Sequence, residues 1–430
     1  MNKNSSVVIK PARNISGSVR LPGDKSISHR YAMLGAIAQG TTKLENYSTG
    51  ADCASTLKCL KTLGANWRKT GAGIEIEGAD LKLQPPNSPL DCGNSGSTMR
   101  MMSGILAGQD FTSKLIGDES LSRRPMSRII MPLEMMGTKI VAADGGRPPL
   151  RVTGGPLKAI SYDTPVPSAQ VKTSLLFAGL YASGETMIRE SVRTRDHGET
   201  ALRAFGAVVD QQGNQSSIRG GQHLQAIEAE IPGDLSSAAF FLCAASLFPG
   251  SQLIVDSLLL NPTRARLLDV LMGMGVGISI TQLEEKHGEL VGRAQVNGKA
   301  LTGAVISGAH TAELIDEIPV LAAIAPYTTS GIEIRDAREL RVKESDRIAA
   351  VATNLRAMGA SVEEFEDGMK IPGGQQLHGA ELDSFGDHRI AMAFAVAALR
   401  ASGETQINGS DAAVISYPAF YETLEGILER

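Results

Sequence analysis

Residues 22–40, PGDKSISHRYAMLGAIAQG, decide how this chain is read. A polar turn opens a run of small and apolar residues, and a Gly closes it. Five later stretches follow the same plan, opening with GNSGSTMR (93–100), SAQVKTS (168–174), PGDLSSAA (232–239), IDEIPV (315–320) and FGDHRIA (385–391). Their apolar runs end at Gly108, Gly184, Gly250, Gly331 and Gly403, as the first ends at Gly40. Each reads as a small-residue helix of roughly four turns, then a Gly-containing turn and a β-type run. A helix N-terminus carries unpaired N–H groups and about half a positive charge. If the six starts converge, they form a cage for an anion, which Lys25, Arg30, Arg100 and Arg389 would strengthen.

A second element alternates with the first. TLKCLKTLGANW (56–67), PLEMMGTKIV (132–141), TALRAFGAVVD (200–210), LLDVLMGMGVGISI (267–280) and ATNLRAMGASVEEF (352–365) each read as helix, Gly turn and strand. YETLEGIL (421–428) is a shortened sixth copy. One copy alone is an ordinary helix-to-strand turn. Together they define a mixed α/β repeat of about 70 residues, longer than the usual solenoid periods. Gly after the last helical Leu or Met suits a left-handed position.

The chain has 430 residues, a length that suits two domains. Hydrophobic residues make up 42% and aromatics only 4%, so the core must be built from closely packed aliphatic side chains. A formal charge of −4 argues against a nucleic-acid or membrane-surface partner. The start MNKNSSVVIKPARN lacks the apolar core of a signal peptide. The apolar stretches 238–248 and 391–399 are too short to span a bilayer. Cys53, Cys59, Cys92 and Cys243 form no C-x-x-C pair and fit buried thiols in a reducing cytoplasm. The seven histidines have no metal-ligand spacing, so no metal or cofactor is expected.

Three repeats per domain would place a break at IPGD (231–234). A strand near Val7–Ile9 precedes the first repeat and could pair with the second half. The expected division is residues 1–21 plus 233–430 as one lobe and 22–232 as the other. The chain would cross twice, making a hinge, with the helix starts facing a cleft between the lobes.

Each polar motif also has a bland reading. In LPGDKSISHR, Ser26 is placed near an N-cap, and Lys25 and Arg30 could be solvated charges. A P-loop is excluded by spacing. The two Gly residues of GNSGSTMR would let backbone amides approach an anion beside Asn94 and Arg100. Arg123 and Arg124 sit in an expected loop. In RVKESDR (341–347), Lys343, Glu344 and Arg347 could share a helical face, or form a surface ion-pair ladder. Asp316, Gln170, Asp387 and Asp196 could all serve as helix caps.

Taken together, LPGDKSISHR, GNSGSTMR, SRRPM, SAQVK, TRDH, IDEIPVLA, RVKESDR and DHRIAMA resemble the 5-enolpyruvylshikimate-3-phosphate synthases (3-phosphoshikimate 1-carboxyvinyltransferases). The resemblance covers nearly the whole chain in the right order. It implies a two-lobed inside-out α/β barrel of six βαβαββ repeats, three per lobe, with the active site in the cleft between them. It also implies shikimate 3-phosphate and phosphoenolpyruvate as substrates, no cofactor, and a cytoplasmic monomer of the shikimate pathway. By position, Lys25, Gly96, Arg124, Gln170, Arg347 and Arg389 match the family's phosphoenolpyruvate binders. Lys25, Ser26, Arg30, Ser168, Ala169, Gln170, Arg195, Asp316 and Lys343 match the shikimate-phosphate side. Ala169 stands where many members carry Ser, so Arg195 is expected to take over part of the phosphate contact.

Met101 after Arg100, Glu339-Leu340, and SYP (416–418) without a preceding Lys look like the family's second bacterial class. That class includes naturally glyphosate-tolerant members. Gly96 instead retains the residue typical of sensitive enzymes. The implied reaction is attack by the 5-hydroxyl on C2 of phosphoenolpyruvate, protonation at C3, then loss of phosphate. Asp316 is the expected base, and Glu344 the expected acid, aided by Lys25.

Two other readings compete with this one. A UDP-N-acetylglucosamine enolpyruvyl transferase would pair the first Lys with Asn and carry a loop Cys. Here the pair is Lys25-Ser26, and GDESLSRRP has no Cys. A non-catalytic anion-binding repeat scaffold would have no need for Asp316 and Glu344 together.

Overall fold

Two kinds of helix alternate along the chain. In the computed structural model, which describes residues 5–71 and 73–430, the helices are α1 (Lys25–Ile37), α2 (Ala51–Thr62), α3 (Gly96–Ala107), α4 (Glu119–Ser122), α5 (Ser127–Met136), α6 (Ala169–Gly179) and α7 (His197–Ala204). They continue with α8 (Leu235–Ser246), α9 (Arg266–Gly273), α10 (Ala309–Glu313), α11 (Ile318–Ile324), α12 (Arg347–Ala357), α13 (His388–Ala398) and α14 (Phe420–Glu425). Residues 1–4 of the expected first lobe lie outside the described residues. Among the described residues, no helix is long and apolar enough to cross a membrane.

The chain divides into two units. The first runs to Pro22 and includes Pro232–Glu284 and Leu290–Arg430. The second holds Gly23–Ile231 and Glu285–Glu289. Grouping of the short turn 285–289 with the second unit had no sequence signal, because it depends on what its side chains meet.

In the second unit, α1 and α6 both pack with α3. Small residues permit this closeness. A Cβ on Gly104 would fall 2.0 Å from the Ser174 carbonyl oxygen, so the α3–α6 crossing requires Gly there. In the first unit, α8, α11 and α13 pack on one another in the same way. All twelve residues of α8 are buried, which explains its apolar composition on every face. The alternate helices bury one side only. In α2 the buried residues are Asp52, Cys53, Thr56, Leu57, Cys59 and Leu60. The fifth helix departs from the expected length, because α11 gives way to a 3-10 turn at Ala325–Tyr327 around Pro326.

The sheets repeat a single pattern of pairing. In the second unit, Thr41–Glu45, Thr112–Ile116 and Glu185–Glu190 each take a parallel neighbour on one side, at Glu228–Glu230, Leu90–Asp91 and Ser161–Thr164. On the other side each pairs antiparallel, with Gly73–Glu77, Arg147–Thr153 and Gln215–Arg219. Ile332–Ile334 in the first unit has the same two kinds of neighbour. Gln252–Leu259 runs parallel to Asn14–Arg20. Ser6–Ile9 runs antiparallel to Thr405–Asn408. Gly64, Gly137, Gly206, Gly275 and Gly359 end the alternate helices with φ between 84° and 115°. Gly426 does not follow them; its φ is −64°.

Candidate active site

In the second unit, helix caps and guanidinium groups share the helix starts. Asp24, not Ser26, caps α1 by accepting the Ile27 N–H at 2.9 Å. Ser26 lies inside the first turn, and its carbonyl accepts from Arg30 at 2.8 Å. Arg30 also donates to Thr173 Oγ1 at 2.9 Å. Burial pushes the Arg30 pKa down to about 10, with Asp24 and Glu199 opposing and Arg195 adding to the fall. Arg195 therefore acts on Arg30 electrostatically. Lys25 Nζ lies 3.0 Å from Asp52 Oδ2. Burial, then Lys25 and Arg30, hold His29 well below its ordinary range.

The start of α3 is built similarly. Ser95 caps it, accepting from Thr98 N–H at 3.1 Å. Arg124 is buried and donates to Asn94 Oδ1 at 2.7 Å and to Ser120 Oγ at 3.2 Å. Its neighbour Arg123 is exposed and paired with Glu119. Gln170 is not a cap. It accepts from Arg100 at 2.7 Å and donates to Ser97 Oγ at 2.8 Å, while Ser168 caps α6 and Ala169 begins it. A Cβ at Gly96 would lie 2.9 Å from a terminal nitrogen of Arg100 and 3.5 Å from one of Arg124. Gly96, Arg100, Arg124 and Gln170 are thus one group.

In the first unit, three cations gather around one carboxylate. Asp316 Oδ1 lies 3.6 Å from Arg347 NH1 and 4.0 Å from Lys343 Nζ. Asp316 Oδ2 lies 3.8 Å from Arg389 NH2, and the Asp316 carbonyl accepts from Arg389 NH1 at 2.7 Å. Glu344 accepts from Arg347 at 2.7 Å. Arg347 is fully buried. Burial opposes its charge, but Asp387 and Glu344 raise its pKa above the ordinary value. Burial pushes the Lys343 pKa down; Asp316 opposes the fall and Arg347 adds to it. Such a cluster suits an anion arriving beside a side chain that can take a proton.

Three local expectations differ from the structure. RVKESDR is not one helix. Residues Arg338–Val342 form a 3-10 turn, Asp346 caps α12, and α12 begins at Arg347. Lys343 and Glu344 therefore sit in the connection, where Glu344 can reach Arg347 without sharing a helical face. Asp316 is not a cap either, because α11 starts after Glu317 with no side-chain cap. Asp387 does cap α13, accepting from the Arg389 N–H at 2.9 Å, and it also binds Arg347. Asp196 stands at the N-cap of α7 but makes no capping bond; it pairs with Arg193 at 2.8 Å.

Sequence reasoning missed the groups behind these side chains. Lys172 is buried between Glu190 at 2.7 Å and Glu199 at 2.9 Å. Arg264 donates to Ser236 Oγ at 2.6 Å, and Ser236 donates to the buried Glu317. The available signal was a Lys in the apolar run SAQVKTSLLFAG, since a buried charge must find partners.

Residues 9–424 match the family model for EPSP synthase (3-phosphoshikimate 1-carboxyvinyltransferase). The chain is 62% identical over 426 residues to the 3-phosphoshikimate 1-carboxyvinyltransferase of Koribacter versatilis, covering 99% of this chain and all of that protein. It is 55% identical to that of Solibacter usitatus, covering 98% of this chain and 99% of the relative. A structure of EPSP synthase from Acinetobacter baumannii superposes with a TM-score of 0.88 at 38% identity, covering 98% of each chain. With its helix starts, its cation clusters and these likenesses in agreement, the chain belongs to the EPSP synthase (3-phosphoshikimate 1-carboxyvinyltransferase) family.

Proposed function

We propose that the two clusters carry out the family's reaction, in which the enolpyruvyl group of phosphoenolpyruvate passes to the 5-hydroxyl of shikimate 3-phosphate and phosphate leaves. The observation that carries this assignment is Asp316, whose carboxylate faces Lys343, Arg347 and Arg389 at 3.6–4.0 Å while Glu344 binds Arg347. Asp316 takes the proton of the 5-hydroxyl as that oxygen attacks C2. Glu344 delivers a proton to C3, with Lys25 aiding proton handling. A tetrahedral ketal phosphate bearing a C3 methyl forms; its C–O bond to phosphate then breaks while C3 returns a proton to Glu344, which restores the C2–C3 double bond.

Arg347 and Arg389, with Arg124, Gln170, Lys25 and the Gly96 backbone, hold the phosphoenolpyruvate anion and neutralise the leaving phosphate. Lys25, Ser26, Arg30, Ser168, the Ala169 backbone, Gln170, Arg195, Asp316 and Lys343 hold shikimate 3-phosphate. The electrostatic effect of Arg195 on Arg30 supports the phosphate end of that assignment. Two guanidinium groups repel one another unless an anion lies between them.

The finer fold reading is a six-repeat inside-out barrel with three repeats per lobe, which the recurring parallel-then-antiparallel strand pairing supports. Met101, Glu339-Leu340 and the SYP segment without a preceding Lys support placement in the second bacterial class. Four buried free thiols support a reducing cytoplasm as the compartment. We take the enzyme to be a monomer, which light scattering tests.

Phosphate release measured with both substrates tests the function directly. Turnover with shikimate 3-phosphate and none with UDP-N-acetylglucosamine is expected. The reverse preference selects the rival transferase, and no turnover with either selects a scaffold.

A further inference from the structure

The segment carrying Arg195 is held from both sides by buried carboxylates. On one side, Glu190 accepts the Thr194 N–H at 3.3 Å and the Thr194 hydroxyl at 2.5 Å. On the other, His197 Nδ1 meets Glu289 Oε1 at 2.7 Å, and both side chains are buried. Behind Glu190 lies Lys172, 1% exposed, with its ammonium bound by Glu190 and Glu199. Glu199 accepts in turn from Ser216 at 2.8 Å. Burial works against the Lys172 charge, yet Glu199 and Glu190 hold its pKa above the ordinary value. The ammonium therefore stays charged and anchors Glu190.

We infer that Glu190 and Thr194 are positioning residues for the shikimate 3-phosphate phosphate group, acting through Arg195. This rests on the proposed role of Arg195. The argument is one of entropy and charge. An Arg in a connecting segment loses side-chain and backbone freedom when it grips a phosphate. Fixing residue 194 from Glu190 removes part of that loss before the substrate arrives. The demand is sharper here, because Ala169 has no hydroxyl to share the phosphate. Arg30 is fixed by separate bonds, to the Ser26 carbonyl and to Thr173. Arg195 is thus the group whose placement depends on the 190–197 segment. Lys172 has a different role, since its ammonium is bound by Glu190 and Glu199 and keeps Glu190 in place.

The test is a double-mutant cycle on Thr194 and Arg195, read as KM for shikimate 3-phosphate, KM for phosphoenolpyruvate and kcat. Thr194→Val removes only the hydroxyl bond and keeps the shape. It should raise KM for shikimate 3-phosphate about fivefold and leave KM for phosphoenolpyruvate within twofold, with a modest loss of thermal stability because Glu190 loses one donor but keeps Lys172 and the Thr194 N–H. Glu190→Gln should raise the same KM at least about tenfold. In an Arg195→Ala background, Thr194→Val should add nothing, because the group it positions is gone. An unchanged KM in Thr194→Val, with a raised KM in Arg195→Ala, overturns the inference and leaves the role of Arg195 standing. Additive effects in the double variant overturn it as well. If Arg195→Ala itself leaves KM for shikimate 3-phosphate unchanged, the assignment of Arg195 fails and the inference falls with it.

Discussion

Asp387 receives Nε of Arg347 at 2.8 Å with one carboxylate oxygen, while its other oxygen caps α13 through the Arg389 N–H at 2.9 Å. One fully buried side chain thereby holds the Arg347 guanidinium and the Arg389 backbone, two residues proposed to bind phosphoenolpyruvate. Burial works against the Asp387 charge, but Arg347 overrides it and holds the pKa below the ordinary value.

Removing Asp387 should therefore damage folding and binding together. Asp387→Ala leaves Arg347 buried without its main counter-charge, which costs roughly 3–5 kcal/mol of stability. Asp387→Asn keeps a capping oxygen and should cost less. Calorimetric unfolding and KM for phosphoenolpyruvate check this. A stable Ala variant with a normal KM would mean that Arg347 is held adequately by Glu344 and Asp316 alone.

The proposed base and acid should separate chemistry from binding. Asp316→Ala should lower kcat by about two to four orders of magnitude. Binding of the anionic substrates should largely persist, because the change deletes a negative charge that faces Lys343, Arg347 and Arg389. Glu344→Gln should lower kcat likewise and slow deuterium incorporation at C3 of phosphoenolpyruvate in heavy water. Near-normal kcat in either variant reassigns that residue's role.

If Lys343 holds shikimate 3-phosphate as proposed, it should set an alkaline limit on binding. Its pKa is lowered from 10.5 by burial, and a Lys carries charge only below its pKa. Affinity for shikimate 3-phosphate should accordingly decline as pH rises through that lowered value. Lys343→Arg keeps its charge throughout and should remove this limb. A profile of KM against pH, measured for both proteins, decides it. The same limb in the Arg variant would assign it to another group.

Gly96→Ala should weaken glyphosate by at least roughly tenfold, about 1.4 kcal/mol. On the family resemblance, glyphosate occupies the phosphoenolpyruvate position and is the longer ligand. The added methyl would stand 2.9 Å from Arg100 and 3.5 Å from Arg124, both flexible side-chain ends that can yield. The longer inhibitor should meet that crowding first, with a smaller rise in KM for phosphoenolpyruvate. Inhibition constants and KM for both proteins provide the measurement. Equal losses would mean that the methyl displaces Arg124 itself.

Much of this protein is legible along the chain, because its signals are local. Asp24, Ser95, Ser168, Asp234 and Asp387 cap their helices with oxygens two or three residues from the N–H they receive, and such short-range bonds need no partner from elsewhere. Five of the six starts could be read for that reason, and the Gly-terminated alternate helices because a positive-φ Gly is just as local a signal. So could the family, which rests on ordered motifs. Tertiary structure alone decided the partners of the charges. Asp316 meets Arg389 across 73 positions, and Arg30 meets Thr173 across 143. Whether Gln170 caps a helix or binds Arg100 depends on where α3 and α6 cross, which is set by packing around Gly104. Lys172, Glu190 and Glu199 read as ordinary charges in the chain. They become a network only because burial removes water and leaves each charge no alternative but the others.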